Sequence, residues 1–456
     1  MRLNPQRWLL LAGAVHITLT LAIFLVGHFQ LLPNLVDPYG TFGTVSPLPV
    51  DAAAYRNLAS DLANELQTNG VSAWLTFKAP LHSRLYSLLF ATIGRVLGHN
   101  IVAVEPLNLI YYLGILVCVY LLAREIFDTR TAMLAAIITA AWPSLLLTST
   151  QFLRDSLSIL CLLVLMLLLT LLLTRVLTWR SGIAAGVAGA VALTFFWVLR
   201  GNMWNVVILA VGIALILLVW RTIHARLFFA GNTIAIVLIL LAMLIVPPRI
   251  ESTSLSGRRL QVTPIAIPTS EQPAPSENLI YRVLRQIVQR RSGFHAYRAR
   301  QSDIDNDVRF TSAGDIVRFL PRATVIGFCA PFPRMWFQSG TFGMAARLLS
   351  GAETLAMYFL YLAAFVAMWR NRRRLELWLL FLVATFGTIA LGLVVVNAGA
   401  LYRLRYVFWI MFIVIAADTL VHLTVLRTRA TKSRTSSSVV SNDAMNRHSD
   451  VSSFQM

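Results

Sequence analysis

The chain has 456 residues, of which 57% are hydrophobic and only 13% charged, and its formal net charge is +19. A composition this apolar, with runs long enough to cross about 30 Å of hydrocarbon, predicts an all-α polytopic membrane protein. It excludes a transmembrane β-barrel, whose segments are short and alternate in hydrophobicity. The positive charge is carried mostly by arginines between the apolar runs, where it sets topology and contacts anionic lipid, so no nucleic-acid partner is implied.

The apolar runs predict ten membrane spans. The first span follows Arg2 and Arg7, as the apolar part of a signal peptide would, but it lacks a convincing small-residue cleavage site and is read as a retained anchor. The predicted spans are 8–28, 104–123, 131–147, 156–174, 182–199, 204–220, 228–246, 351–369, 376–396 and 406–425.

Basic residues orient these spans, because short loops rich in arginine stay on the cytoplasmic side. With a cytoplasmic amino terminus, every strongly basic turn falls on the same side, including the RNRRR run from Arg370 to Arg374. We therefore predict a multi-pass protein of the bacterial inner membrane with both termini in the cytoplasm. The outer face then receives the two longest loops, 29–103 and 247–350, and we expect function on that face.

The same pattern divides the chain into four parts. A first transmembrane module, 1–246, contains the first outer loop. An outer loop with interfacial helices follows at 247–350. The closing transmembrane helices are predicted at 351–426, and the Ser-rich tail at 427–456 is predicted to be disordered.

Three outer segments are predicted to be helices at the membrane surface rather than spans. The run 85–97 is too short to cross, and 316–332 is interrupted by prolines and an arginine. From Leu279 onward, apolar residues recur at helical spacing opposite arginines, which predicts a basic interfacial helix.

Four arginines stand at outer helix ends, where the charge rule disfavours them, so they need another reason to be there. These are Arg154, Arg200, Arg403 and Arg405. A pool of positive charge at the outer surface suits a substrate that bears phosphate.

The amino-terminal half resembles the GT-C glycosyltransferases, in the bacterial branch related to protein O-mannosyltransferases and the aminoarabinose transferase of lipid A. The resemblance rests on the first span followed by DAAAYRNLA, then FKAPLHSRLYSLLFATIGRVLG, then the stretch from YLLAREIFDTR to FLRDSLSI. It covers roughly residues 5 to 220. It implies an enzyme that takes a sugar from a polyprenyl-phosphate donor on the outer side and transfers it, usually with inversion, to an acceptor.

The resemblance places the catalytic base at Asp51, the acid of the first outer loop. A carboxylate there can take the proton of an acceptor hydroxyl as that oxygen attacks the anomeric carbon. Asp155 matches the acid that relatives carry at the outer start of the fourth span, and is a second catalytic candidate. For both residues the alternative is a plain charge at a helix amino terminus.

The donor phosphate is expected to meet basic side chains at a water-poor boundary. Lys78 in FKAPL matches the lysine that contacts the donor phosphate in the family, although Ala79 replaces the usual proline. Arg84 and Arg154 extend this predicted set, and Tyr55, one helical turn beyond Asp51, is a candidate to line the site.

The remaining candidates for the phosphate are Arg403 and Arg405, at the turn into the last span. The alternative is that both are interfacial anchors beside tyrosines. No cofactor and no metal site is predicted. Phe77 stands where some members carry a metal-binding acid, so a divalent cation has no support in the sequence.

The sequence therefore predicts an inner-membrane glycosyltransferase that uses a polyprenyl-phosphate sugar, with an unidentified glycan, lipid or protein acceptor. Two alternatives stay open. One is a transporter or flippase of lipid-linked intermediates, which would be expected to show inverted repeats or broken helices. The other is a polymerase or ligase of surface polysaccharide, which would use arginine-rich outer loops.

Overall fold

The computed structural model describes residues 4–42, 51–246, 279–295, 303–337 and 344–424. Within these ranges the chain is helical and contains no β-strand, so the prediction of an all-α polytopic membrane protein is confirmed. The helices are α1 (Pro5–His28), α2 (Asp51–Thr68), α3 (Gly70–Thr76), α4 (Leu81–Thr92), α5 (Gly94–Leu97), α6 (Ile101–Ile126), α7 (Thr129–Ala140), α8 (Pro143–Ser149), α9 (Asp155–Thr174), α10 (Trp179–Arg200), α11 (Trp204–Ala225), α12 (Ala230–Ile245), α13 (Leu279–His295), α14 (Ala313–Cys329), α15 (Pro333–Trp336), α16 (Met344–Arg370), α17 (Leu375–Val394), α18 (Ala398–Leu404) and α19 (Tyr406–Thr424).

Short polar side chains set where several of these helices begin. Asn4 accepts a hydrogen bond from the Gln6 amide at 3.0 Å, directly before Pro5 opens α1. Asp128 accepts from the Thr131 amide at 2.7 Å and starts α7. Because the first amides of a helix have no partner within it, such caps fix the boundaries between apolar runs.

The number of spans is not confirmed as ten. Among the described residues, seven helical stretches are long and apolar enough to cross a membrane, or eight if the bent pair α7 and α8 counts as one span. One of the seven stretches is Trp179–Ala225, with 47 residues. The apolar helix α12 is shorter than the other candidates.

Contacts to α9 show that Trp179–Ala225 is a hairpin and not one straight helix. Its first half ends at Arg200, which donates to Ser158 near the start of α9. In its second half Arg221 donates to the Leu172 carbonyl near the end of α9. The chain therefore reverses between α10 and α11, as the two separate predicted spans 182–199 and 204–220 require.

The ends of the long helices form two groups. At one end, Arg175 pairs with Glu125 and Asn371 bonds Asp418, and the basic turns of the sequence collect there. At the other end, the amino termini of α2 and α9 meet the carboxyl terminus of α10 and the short helix α18. We call the second group the acid–arginine end. The prediction that the basic end is cytoplasmic stays a prediction.

Glycines allow the closest helix contacts. A Cβ added at Gly182 in α10 would collide with the backbone of Gly231 in α12, and one at Gly392 in α17 would collide with the Ala323 carbonyl in α14. Helices in membranes commonly approach through such small residues, because apolar area alone gives no preference for protein over lipid. The last helix, α19, is buried along most of its length and forms the centre of the main core.

The three segments that the sequence predicts as surface helices are helical, with one adjustment, and their place at the membrane surface stays a prediction. The predicted segment 85–97 is split into two helices, because α4 ends at Thr92 and α5 begins at Gly94. Helix α4 also begins earlier than predicted, directly after Pro80. The segment 316–332 corresponds to α14, whose start is fixed by reciprocal hydrogen bonds between Ser312 and Asp315. Neither is among the helices apolar and long enough to span.

Candidate functional site

Two carboxylates and two guanidinium groups converge at the acid–arginine end. Arg403 Nη2 lies 3.0 Å from Asp51 Oδ2, and its Nη1 lies 3.6 Å from Asp155 Oδ2. Arg200 pairs with the other oxygen of Asp155. One arginine thus joins an acid at the start of α2 to an acid at the start of α9.

Asp155 is the enclosed member of this cluster. Its side chain is buried, one oxygen faces Arg200, and the other faces Arg403. It begins α9, where the exposed amides favour a negative charge. With both oxygens engaged by guanidinium groups, Asp155 is placed to hold the two arginines in position.

Asp51 is the accessible member. Its side chain is 42% exposed, and Oδ2 receives the bond from Arg403. Among the described residues no partner is present for Oδ1.

A small crevice, with room for about one water molecule, lies beside the cluster. It combines the two arginines and the buried acid with apolar side chains at the tops of α9, α10 and α19. The lining residues are Asp155, Ser158, Ile159, Phe196, Arg200, Met203, Arg403, Leu404 and Val407. The crevice thus places the charged groups of the cluster next to an apolar wall.

Arg154 adds a third positive charge next to the cluster. Its Nη1 donates to the Leu199 carbonyl at 3.1 Å, and no carboxylate pairs with it among the described residues. Counting Arg154, Arg200 and Arg403 against Asp51 and Asp155 leaves one positive charge without a matching acid. Among the described residues the cluster therefore carries a net positive charge.

Tyr55 and a histidine that sequence analysis did not single out stand behind Asp51. Tyr55 is buried one turn along α2, and its ring meets the edge of the His82 ring with centroids 4.3 Å apart. Burial raises the pKa of Tyr55, while the nearby Arg154 acts in the opposite direction. His82 directly follows FKAPL, the stretch that carries the family resemblance. Its position next to this motif is the signal in the sequence that could have identified it.

Arg84 occupies a structural position instead of facing the cluster. Its guanidinium donates to the carbonyls of Trp74 at 2.7 Å and Leu75 at 3.2 Å, and it lies over the Trp74 ring. It thereby closes the turn between α3 and α4. Lys78 sits in this turn with an exposed side chain, and no ion pair or hydrogen bond of it is found among the described residues.

Arg405 points away from Arg403. It is fully buried, donates to the Gly327 carbonyl at 2.7 Å, and lies over the Trp409 ring at 4.5 Å. Residues two apart on a helical turn face opposite sides, which explains why two neighbouring arginines separate. The structure therefore brings Arg403, but not Arg405, to the acidic side chains.

A buried acid that the sequence analysis missed holds the segment carrying Arg403. Glu353 in α16 accepts from the Ser144 amide at 2.8 Å and from the Ser144 hydroxyl at 2.6 Å. It also accepts from the hydroxyl of Tyr402, the residue before Arg403. The network joins the bend between α7 and α8 to α18.

Across the described residues no three His, Cys, Asp or Glu side chains come together in a way that could hold a metal ion. The cluster itself consists of two carboxylates and a set of guanidinium groups beside an apolar wall.

Comparison with known proteins adds one finding to this geometry. A family model described as dolichyl-phosphate-mannose-protein mannosyltransferase matches residues 81–248. The match supports a membrane glycosyltransferase of the GT-C type. No curated protein and no solved structure matches the chain.

The GT-C match and the cluster overlap in part. The matched segment carries His82, Arg154, Asp155 and Arg200. The accessible acid Asp51 precedes it, and Arg403 follows it by many residues. A GT-C-type site in this chain would therefore be completed by residues from both sides of the matched segment.

Proposed function

We propose that this protein transfers a sugar from a polyprenyl-phosphate donor to an acceptor at the outer, periplasmic face of the bacterial inner membrane, with Asp51 as general base. The observation that carries the proposal is the Asp51–Arg403–Asp155–Arg200 cluster beside a small crevice at one end of the helix bundle. A glycosyltransferase family match over residues 81–248 supports the reaction class.

The base is assigned to Asp51 on accessibility and on its partners. Among the described residues one oxygen of Asp51 has no partner, whereas both oxygens of Asp155 face arginines. In the proposed reaction, Asp51 takes the proton of the acceptor hydroxyl while that oxygen forms a bond to the anomeric carbon. The bond from that carbon to the phosphate oxygen breaks, with inversion, and the electron pair leaves with the lipid phosphate.

The departing phosphate needs positive charge that is already in place. Arg154 lacks a carboxylate partner among the described residues, and Lys78 stands exposed at the neighbouring turn, so both are proposed to contact the donor phosphate. Arg403 is proposed to orient Asp51 and to share the phosphate charge. Asp155 and Tyr55 position these groups, and Arg84 does so indirectly by closing the turn that carries Lys78.

Purified protein in nanodiscs tests the proposal directly. It should release polyprenyl phosphate from one of a panel of polyprenyl-phosphate sugars, mannose among them, when acceptor sugars, lipids or peptides are supplied. Release must depend on the acceptor, because hydrolysis by water alone would indicate a different reaction.

Transport is the second candidate, and the bend between α7 and α8 favours it. These two helices together have the apolar length of a span but meet at 66°, and broken spans are typical of transporter binding sites. The discriminating experiment measures movement of the same lipid-linked sugars across proteoliposome membranes. Movement without release from any donor would replace the transferase proposal by a flippase.

A further inference from the structure

The imidazole of His82 is buried without hydrogen-bond partners. His82 is 1% exposed, and among the described residues neither ring nitrogen finds a partner. Leaving a buried polar group unpaired costs about 1–3 kcal/mol, and such groups in native proteins usually meet water or a ligand. Two unpaired nitrogens on one ring next to a candidate site therefore need an explanation.

The surroundings of the ring keep it uncharged. Tyr55 meets it at 4.3 Å on one side, and Tyr86 lies at 6.4 Å on the other. Burial lowers the pKa of His82 well below its ordinary value, with Arg154 and Arg200 acting in the same direction.

A neutral imidazole has one N–H donor and one acceptor nitrogen, so its ligand must offer both complements. A phosphate at neutral pH offers acceptors, and an ammonium group offers donors. A hydroxyl group donates and accepts, and a sugar presents hydroxyls on adjacent carbons. The neighbouring Tyr86 hydroxyl does not meet this need, because it is bound to Asn108 and to the Leu153 carbonyl.

We propose that His82 binds hydroxyl groups of the transferred sugar and thereby contributes to sugar selectivity. This assignment rests on the proposed transferase function, in which the phosphate faces the arginines and the sugar extends from it toward Tyr55 and His82. Because the ring is covered, the sugar must displace a neighbouring side chain to reach it. Tyr55, whose ring lies between His82 and the Asp51 turn of α2, is the side chain placed to move.

Deoxy sugars provide the test. For the polyprenyl-phosphate sugar that the wild-type protein uses, each ring hydroxyl is replaced by hydrogen in turn, and kcat/KM is measured for the set. We expect one deoxy donor to be used about tenfold less well than its parent by the wild-type protein, the loss of about 1.4 kcal/mol. His82→Phe should lower kcat/KM for the parent donor and treat the parent and that deoxy donor alike.

Two conservative variants separate binding from folding. His82→Asn keeps an amide donor and acceptor near the position of Nδ1, and His82→Gln keeps them near the position of Nε2. One of these two variants should restore part of the discrimination between donors. If the His82→Phe variant does not elute as a single folded species, the Asn and Gln variants provide the test instead. A loss of fold alone would lower the rates for all donors by one common factor.

His99→Phe is the matched control. His99 lies in the same outer region, but its Nδ1 already pairs with the Ser60 hydroxyl at 2.7 Å and its ring stacks on Phe90. This variant should keep the wild-type ranking of deoxy donors. An unchanged ranking in the folded His82 variants would overturn the His82 assignment alone, whereas a wild-type protein that uses no polyprenyl-phosphate sugar would overturn the proposed function and this inference with it.

Discussion

A carboxylate that must act as a base cannot be fully engaged elsewhere, and this condition separates the two acids of the cluster. Asp51 gives one oxygen to Arg403 and keeps 42% of its side chain exposed. Asp155 gives both oxygens to arginines and is buried. Asp51 and Asp155 both stand at helix starts, but they differ in how many of their oxygens are bound to arginines.

Replacing Asp51 by Asn tests its role as base. Asn has nearly the same size but cannot accept the proton, so turnover should fall by roughly a hundredfold or more while the fold persists. Asp61→Asn is the matched control, because Asp61 is an exposed acid on the same helix. Transfer by the Asp51 variant at the wild-type rate, with the donor bound, would contradict the mechanism.

Replacing Arg403 by Met tests the link between the two acids. Loss of a charge-assisted contact costs on the order of 1.5–3 kcal/mol, so donor affinity or turnover should fall by about tenfold or more. Arg95→Met removes an exposed arginine in the same outer region and should leave both quantities unchanged. Equal behaviour of the two variants in donor titrations would remove Arg403 from the site.

Sequence reasoning at this scale found the residue types but not their pairing. Asp51 and Arg403 were both candidates, yet nothing in a sequence indicates that residues so far apart will lie at 3.0 Å. Arg405 was a candidate for the same reasons as Arg403, and only the direction of its side chain, toward Gly327, separates them. His82 and Glu353 were missed because a single polar residue in an apolar context has no pattern of its own.

At the scale of the elements, packing between α10 and α12 depends on glycines that leave no room for a side chain. Gly182 faces the backbone of Gly231, which in turn lies against the carbonyls of Leu177 and Thr178. Asn232 reinforces this contact by bonding the Leu172 and Arg175 carbonyls, each at 2.8 Å. The junction holds α12 against the ends of α9 and α10.

Gly182→Ala should therefore destabilise the protein, since backbone must move to admit the methyl group. We expect the midpoint of thermal unfolding in detergent to fall by several degrees, as for a loss of about 1–3 kcal/mol in a packed core. Gly212→Ala is the control, because a Cβ there meets nothing within 4 Å. Identical midpoints for both variants would show that the helices separate easily at this crossing.

Element positions were predictable where an apolar run ends at a polar cap, as at Asp128 before α7. They were less predictable where proline bends a run. The predicted span 131–147 is divided at Trp142 and Pro143 into two helices that meet at 66°. The Ser144 amide, at the start of α8, donates a hydrogen bond to Glu353 in α16, which is far away in the sequence. The bend is therefore held by a tertiary contact.

For the whole molecule, the sorting of charge between the two ends predicts sidedness. The arginine-rich turns gather at the end opposite the cluster, as the cytoplasmic side of a membrane protein would require. Polytopic architecture follows from hydrophobicity alone, but the span count depends on how short and bent helices sit in a bilayer. Among the described residues seven or eight stretches qualify as spans, and one of these is the hairpin of α10 and α11.

Cysteine labelling tests the orientation. In intact spheroplasts, a membrane-impermeant maleimide should label Asn69→Cys, between α2 and α3, and should label Arg373→Cys only after permeabilisation. The native Cys118 and Cys161 are buried, and Cys329 is replaced by Ser in the parent protein. The reverse labelling pattern would invert the topology, and labelling of both sites in intact spheroplasts would require a different span count.

The distance along the chain between the members of the cluster has a consequence for biosynthesis. Asp155 and Arg200 leave the ribosome close together, but Arg403 follows about 200 residues later. At roughly 5–20 residues per second, the two earlier residues wait on the order of 10–40 s in the membrane before their partner is made. Until then Asp51 lacks the guanidinium that holds it, so the proposed site is incomplete in a partly inserted chain.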